Sequence, residues 1–272
     1  MIRVELTKLI RRPRVWVAIV LLCLLPVIVA VFIASTRIVP PPGQGGAFLS
    51  AVLSNGLLYP AAAMAIVVPL FLPVAVAVLA GDAVAGEATT GTLRYLLIRP
   101  VGRTRLLVAK LVALTAFVLT AIVAVLATSF VAGEVLFPSG AAGQSGVTSL
   151  SGTTLTPSQI VLRLVASLAF ITVSMLGVAA IAVFLSTVTT SPLGATLGAL
   201  AVLVASELLV TLGAASSIAP YLPTRYWLAW VDFFRQPILW RDIVRGVGIQ
   251  AAYVVVFLGA AWANFTTKDV TS

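Results

Sequence analysis

The chain has 272 residues, of which 61% are hydrophobic and 9% charged, and its mean hydropathy of +1.15 excludes a soluble globular domain. Its long unbroken apolar runs, in place of ten-residue alternations, exclude a transmembrane barrel and leave helices as the spanning elements. The net charge of +9 lies beside those runs and builds no separate basic domain, which argues against nucleic-acid binding.

In chain order, Arg3, Lys8, Arg11, Arg12 and Arg14 precede the first apolar run. That run is too long for a cleavable signal core, and Phe32 occupies the place of a small cleavage residue, so it reads as a retained anchor. Six spans are predicted at about 15–34, 58–80, 106–133, 161–186, 192–213 and 246–265, each near the length that crosses a hydrocarbon core. Pro26, Pro69 and Pro73 are expected to kink the first two. Thr156-Pro157 and Ser191-Pro192 read as N-cap plus first-turn proline opening the fourth and fifth. Within spans, Thr115, Thr120, Ser167 and Ser174 are expected to bond carbonyls of the preceding turn. Gly194 and Gly198 would allow close helix approach in the fifth.

Six spans place both termini on one side, and with the termini inside that side carries 11 of the 17 basic residues. The termini are therefore expected in the cytoplasm of a cell-membrane protein. The external connections 35–57 and 134–160 have the composition of flexible loops and form no substrate-capturing domain. Residues 214–245 keep Arg225, Arg235, Arg241 and Arg245 outside, with Tyr221, Tyr226, Trp227, Trp230 and Trp240. They read as an interfacial or re-entrant segment, or as an aromatic belt. Glu207, well inside the fifth span, is either functional or a structural partner of Arg225 or Arg163. The absence of histidine and the single cysteine, Cys23, exclude zinc proteolysis and Cys–His catalysis.

Residues 81–105 gather two acids, four arginines and a set of glycines in an otherwise apolar chain, and 82–98 are read as a helix within them. As a helix they place Glu87, Thr90, Gly91 and Arg94 on one face and Leu93, Leu96 and Leu97 roughly opposite, with Pro100 as the stop. Such a helix either anchors in the membrane interface or presents its polar face to a soluble partner. Gly86 and Gly91, costly in a helix, favour a site of close approach and hence the second use.

Glu87, Gly91-Thr92-Leu93, Leu96-Leu97, Pro100, Arg103 and Lys110 resemble the signature E-x-x-x-G-T-L-x-x-L-L-x-x-P-x-x-R of ABC-2 type transporter permeases, with a lysine seven residues on. The resemblance implies an all-α, six-span permease domain with a cytoplasmic coupling helix, here about 82–98, between spans two and three. It implies export of a drug, lipid or other amphipathic substrate, a second six-span half, identical or related, and a separate ATP-hydrolysing subunit in two copies. Glu87, Thr90, Gly91, Thr92, Leu93, Arg94, Leu97, Pro100 and Arg103 would form the contact with that ATPase, and Ser186–Ser191 a second, smaller one. The chain has no phosphate-binding G-x-x-x-x-G-K-[ST] loop, so no cofactor is expected on it, and ATP and Mg²⁺ would be bound by the partner. The alternatives are a non-transporting scaffold that recruits a soluble partner, and an ATP-independent carrier, which the scarcity of ionisable residues within spans disfavours.

Overall fold

The computed structural model describes residues 1–36, 56–89, 103–137, 147–148, 154–212 and 217–267. The helices, in chain order, are α1 (Ile2–Arg11), α2 (Pro13–Thr36), α3 (Tyr59–Val67), α4 (Phe71–Thr89), α5 (Arg103–Leu136), α6 (Pro157–Val188), α7 (Pro192–Leu212) and α8 (Trp240–Thr267). A two-residue antiparallel pair joins β1 (Val147–Thr148) to β2 (Thr154–Leu155), opposing Val147 to Leu155 and Thr148 to Thr154. Six helices are long and apolar enough to cross a membrane: α2, α4, α5, α6, α7 and α8. The protein is an all-α, multi-pass membrane protein.

Local chemistry fixes most boundaries. Arg12 precedes Pro13 and is extended, as steric contact with a following proline ring favours, so α1 ends there and α2 starts with its proline in the first turn. Thr156 caps α6 in a reciprocal box: its Oγ1 accepts from the Gln159 N–H at 3.4 Å and its own N–H donates to Gln159 Oε1 at 3.1 Å. Ser191 Oγ accepts from the Gly194 N–H at the start of α7. Thr115, Thr120, Ser167 and Ser174 donate to the carbonyls of Leu111, Ala116, Arg163 and Phe170, four residues back, as the sequence indicates.

The second span departs from expectation. It is not one helix over 58–80 but α3 and α4 separated by a turn at 68–70. Pro69 lacks the N–H that would continue α3 and its ring crowds the carbonyl one turn back, whereas Pro73 falls in the first turn of α4, where no bond is lost. Residues 82–89 are likewise not the start of a separate helix. They are the last two turns of α4, which runs without interruption to Thr89. Two close approaches explain its glycines. A Cβ on Gly81 would lie 2.5 Å from Thr196 Oγ1 of α7, and one on Gly86 would lie 2.2 Å from the carboxylate of Asp82.

α6 is the central element, packed on α4, α5, α7 and α8. Gly177 admits Gln250 of α8, whose Nε2 donates to the Pro223 carbonyl at 2.6 Å. α2 and α3 pack on α5. Gly56 and Gly133 bring the backbones together there, and the Tyr59 hydroxyl donates to the Pro26 carbonyl. In α7, Gly198 meets only Leu185 and Gly194 only its own cap Ser191, so the close helix contact is made at Thr196 instead.

The segment predicted as interfacial is an aromatic plug over α6 and α8. It contains two 3-10 turns, Ala219–Tyr221 and Ala229–Phe234, and buries Trp227, Trp230, Phe233 and Phe234. Phe233 packs edge-on against Phe170 of α6 and Trp240 of α8. The last span also begins earlier than predicted, because α8 starts at Trp240 and includes Arg241 and Arg245 in its first turns.

A Cβ on Gly133 would lie 2.4 Å from the Gly56 carbonyl oxygen, a backbone atom with no freedom to rotate away. Gly133→Ala is expected to cost about 1–3 kcal/mol, read as a lower melting temperature in detergent. Gly259→Ala, with nothing within 4 Å of its Cβ, is the control and should be neutral or slightly stabilising.

Candidate functional site

Two carboxylates and two ammonium groups meet at the end of the molecule that carries α1, the end of α4 and the start of α5. Glu87 of α4 lies 2.7 Å from Lys110 of α5 through Oε2 and 3.0 Å from Lys8 of α1 through Oε1. Glu5 of α1 contacts the same two cations, 2.9 Å from Lys8 through Oε1 and 3.6 Å from Lys110 through Oε2. Each carboxylate oxygen therefore faces one ammonium, and the four residues close a neutral ring. Glu87 and Lys110 are each 4% exposed and Glu5 is 8% exposed, so these three charges are withdrawn from bulk water, while the Lys8 side chain, 35% exposed, closes the ring at the surface.

Burial of this kind is tolerated only when every charge is matched, since an unpaired buried ion costs several kcal/mol. Burial acts to lower the pKa of Lys8, but its hydrogen bonds to Glu5 and Glu87 and their negative charges outweigh that and raise it above the ordinary value of 10.5. Lys8 thus stays charged throughout the physiological range. One turn further on, Arg12 Nη1 donates to Asp82 Oδ2 at 3.1 Å, giving α1 a second ionic tie to α4.

The same end of α4 is held from its other side by α6. Ser186 Oγ donates to the Gly81 carbonyl at 2.6 Å and accepts from the N–H groups of Val84 at 3.1 Å and Ala85 at 2.9 Å. One buried hydroxyl thereby contacts both the acceptor and the donor of the Gly81–Ala85 helical rung. Thr187 Oγ1 accepts from Asn264 Nδ2 of α8 at 3.1 Å, and Trp262 Nε1 of α8 donates to Thr104 Oγ1 of α5 at 2.8 Å. Every spanning helix except α2 is fastened here by side-chain bonds or by the Gly81–Thr196 contact. α2 follows from α1 through Arg12.

Of the residues selected from sequence, Glu87 is at the centre of this junction, where its carboxylate pairs with two lysines of its own chain. Helical spacing groups residues on a face without revealing what covers that face, and α1 covers this one. Arg103 is the first residue of α5. Thr90, Gly91, Thr92, Leu93, Arg94, Leu97 and Pro100 lie outside the described residues, as does most of the expected coupling helix.

For Glu207, the structural-pair alternative is not met. It is exposed on α7 and forms no ion pair among the described residues, whether with Arg225 or with Arg163. Arg163 is 8% exposed and donates instead to the Arg235 carbonyl at 3.3 Å.

Sequence reasoning passes over Glu5 and Lys8 as members of this site and assigns Ser186 to the link 186–191, not to a tie between helices. The available signal was Glu5, the only acid among the first 81 residues, placed three before Lys8 on a basic helix.

Lys110→Met would leave Glu87 and Glu5 facing Lys8 alone and is expected to cost about 3–5 kcal/mol. In Glu87→Gln/Lys110→Met the loss should be clearly smaller than the sum of the two single losses, measured by thermal melting in detergent. Strict additivity would mean that the two residues do not act as a unit.

The chain matches no curated protein. Residues 19–271 match DUF2705, a family described as a protein of unknown function, and the chain belongs to that family.

Proposed function

We propose that the chain is the membrane subunit of an ATP-driven exporter of the ABC-2 type, working with a separate ATPase and a second six-span half. The observation that carries this reading is the junction around Glu87. The sequence that resembles the permease signature, residues 87–103, starts in the last turn of α4 and ends at the first residue of α5. The Glu87–Lys110 pair locks those two helices together at the point where the segment leaves and re-enters. A pull on residues 90–102 would be delivered to α4 and α5 jointly, and through Ser186 to α6.

In this reading the end with α1 is cytoplasmic, in accord with its 11 of 17 basic residues. Glu87 and Lys110 become the internal fastening of the lever, and Arg94 the charge offered to the ATPase. Ser186 and Thr187 are 1% exposed and fully used within the bundle, so the second contact expected at 186–191 would fall on its later residues. The substrate is an amphipathic molecule moved between the two halves.

The test is recovery of partners with the tagged chain from its native membrane in mild detergent. A phosphate-loop ATPase should accompany the wild type, and Arg94→Glu should lower its recovery about ten-fold while the melting temperature is kept. Undiminished recovery in Arg94→Glu and in Arg94→Glu/Arg99→Glu would remove the coupling role of this segment. Absence of any ATPase from the wild type across several detergents would favour the scaffold or carrier reading.

A further inference from the structure

The end of the molecule away from α1 holds a cleft of about 650 Å³ between the end of α7, the aromatic segment and the first turns of α8. Its charged lining is Arg225, Arg241, Arg245, Asp232 and Asp242, with Tyr226 beside them. Asp232 is already engaged, its Oδ1 accepting from Arg235 Nε at 2.7 Å. Arg225, Arg241 and Arg245 form no ion pair among the described residues. Glu207, exposed on α7 three residues before the lining Val210, forms no ion pair with them, and the lining itself supplies one further carboxylate, Asp242. Three guanidinium groups therefore share one free carboxylate, Asp242.

This excess contrasts with the buried ring at the other end, where each carboxylate faces two ammonium groups. Three arginines converging on one cleft repel one another, and an anion placed among them removes that cost. The planar donor fork of arginine matches phosphate oxygens in pairs, and a tyrosine hydroxyl adds a further donor.

The cleft's own lining includes apolar Val210, Leu228 and Ala229, with Leu228 49% exposed, and α7 and α8 also carry exposed apolar side chains on other faces. Leu208 and Leu212, near the end of α7, are 54% and 71% exposed, and Val244, next to Arg245 on α8, is 62% exposed. A cationic cleft at the end of two spanning helices, above bare leucine and valine, has the polarity profile of an amphiphile with a charged head. We propose that this cleft binds the phosphate-bearing headgroup of a membrane amphiphile, with Arg225, Arg241 and Arg245 on the phosphate and the acyl chains along α7 and α8. The site belongs to the chain itself and would be filled whether or not an ATPase is attached.

The basic face of α1, with Arg3 and Arg11, is a second surface that attracts anionic lipid, so the experiment is done in an Arg3→Gln/Arg11→Gln background. The full chain in uncharged detergent is titrated with phosphatidylglycerol and, separately, with phosphatidylcholine, and bound lipid is counted by native mass spectrometry. Phosphatidylglycerol should bind about ten-fold more tightly, and each of Arg225→Gln, Arg241→Gln and Arg245→Gln should weaken it about five-fold. The triple variant should show no preference, and millimolar inorganic phosphate should not displace the lipid. Equal binding of the two lipids, or a preference that survives all three single substitutions, would overturn the site. Displacement by inorganic phosphate would overturn the amphiphile assignment in favour of a soluble anion.

Discussion

A carboxylate buried within a membrane bundle needs positive charge beside it, because the medium around it does not solvate ions. Glu87 meets that requirement with two lysines from two different helices, and the consequence reaches beyond one pair. Lys8 belongs to α1, so neutralising Glu87 draws a basic amphipathic helix that would otherwise lie on the membrane surface into the bundle. Glu5 then balances the second lysine. The ring can close only if α1, α4 and α5 hold one relative arrangement, which makes that arrangement the low-energy one.

The remaining ties at this end are built from small groups that allow backbones to approach. Gly81 lets α7 come within contact of α4 at Thr196, and Ser186 reaches three backbone groups of α4 because a serine is short enough to fit between the helices. The opposite end is organised differently. There the aromatic segment plugs the gap between α6 and α8 by packing rather than by charge, and it leaves guanidinium groups unneutralised at the surface. One end is thus joined by a neutral ring of buried charges, and the other is closed by aromatic packing beside a cleft lined by unpaired arginines.

Much of this was legible from residue order. Span number follows from apolar length, and the openings of α6 and α7 follow from Thr156-Pro157 and Ser191-Pro192. The hydroxyl residues inside spans bond their own helix, which needs no tertiary information. The break in the second span was not legible, because Pro69 and Pro73 differ only in where the next helix begins. The continuation of α4 to Thr89 was hidden by Gly81 and Gly86; at Gly81 the cost in a helix is offset by the approach of Thr196 of α7, which spacing does not reveal. The partners of Glu87 were out of reach for the same reason. Lys110 and Lys8 are 23 and 79 residues away along the chain, and only packing of α1 on α5 brings them to one point. Of the two alternatives for Glu207, a functional charge or a structural pair, the pair is absent among the described residues and the side chain is exposed on α7.

The central claim is that the Glu87 ring makes α1, α4 and α5 a single unit. Hydrogen exchange of the intact chain in nanodiscs, wild type beside Glu87→Gln, tests it most directly. The account predicts faster exchange in the variant both for the amides of α1, within residues 2–11, and for those near 84–89, with α8 unchanged. Faster exchange near residue 87 alone, with α1 as protected as in the wild type, would contradict it.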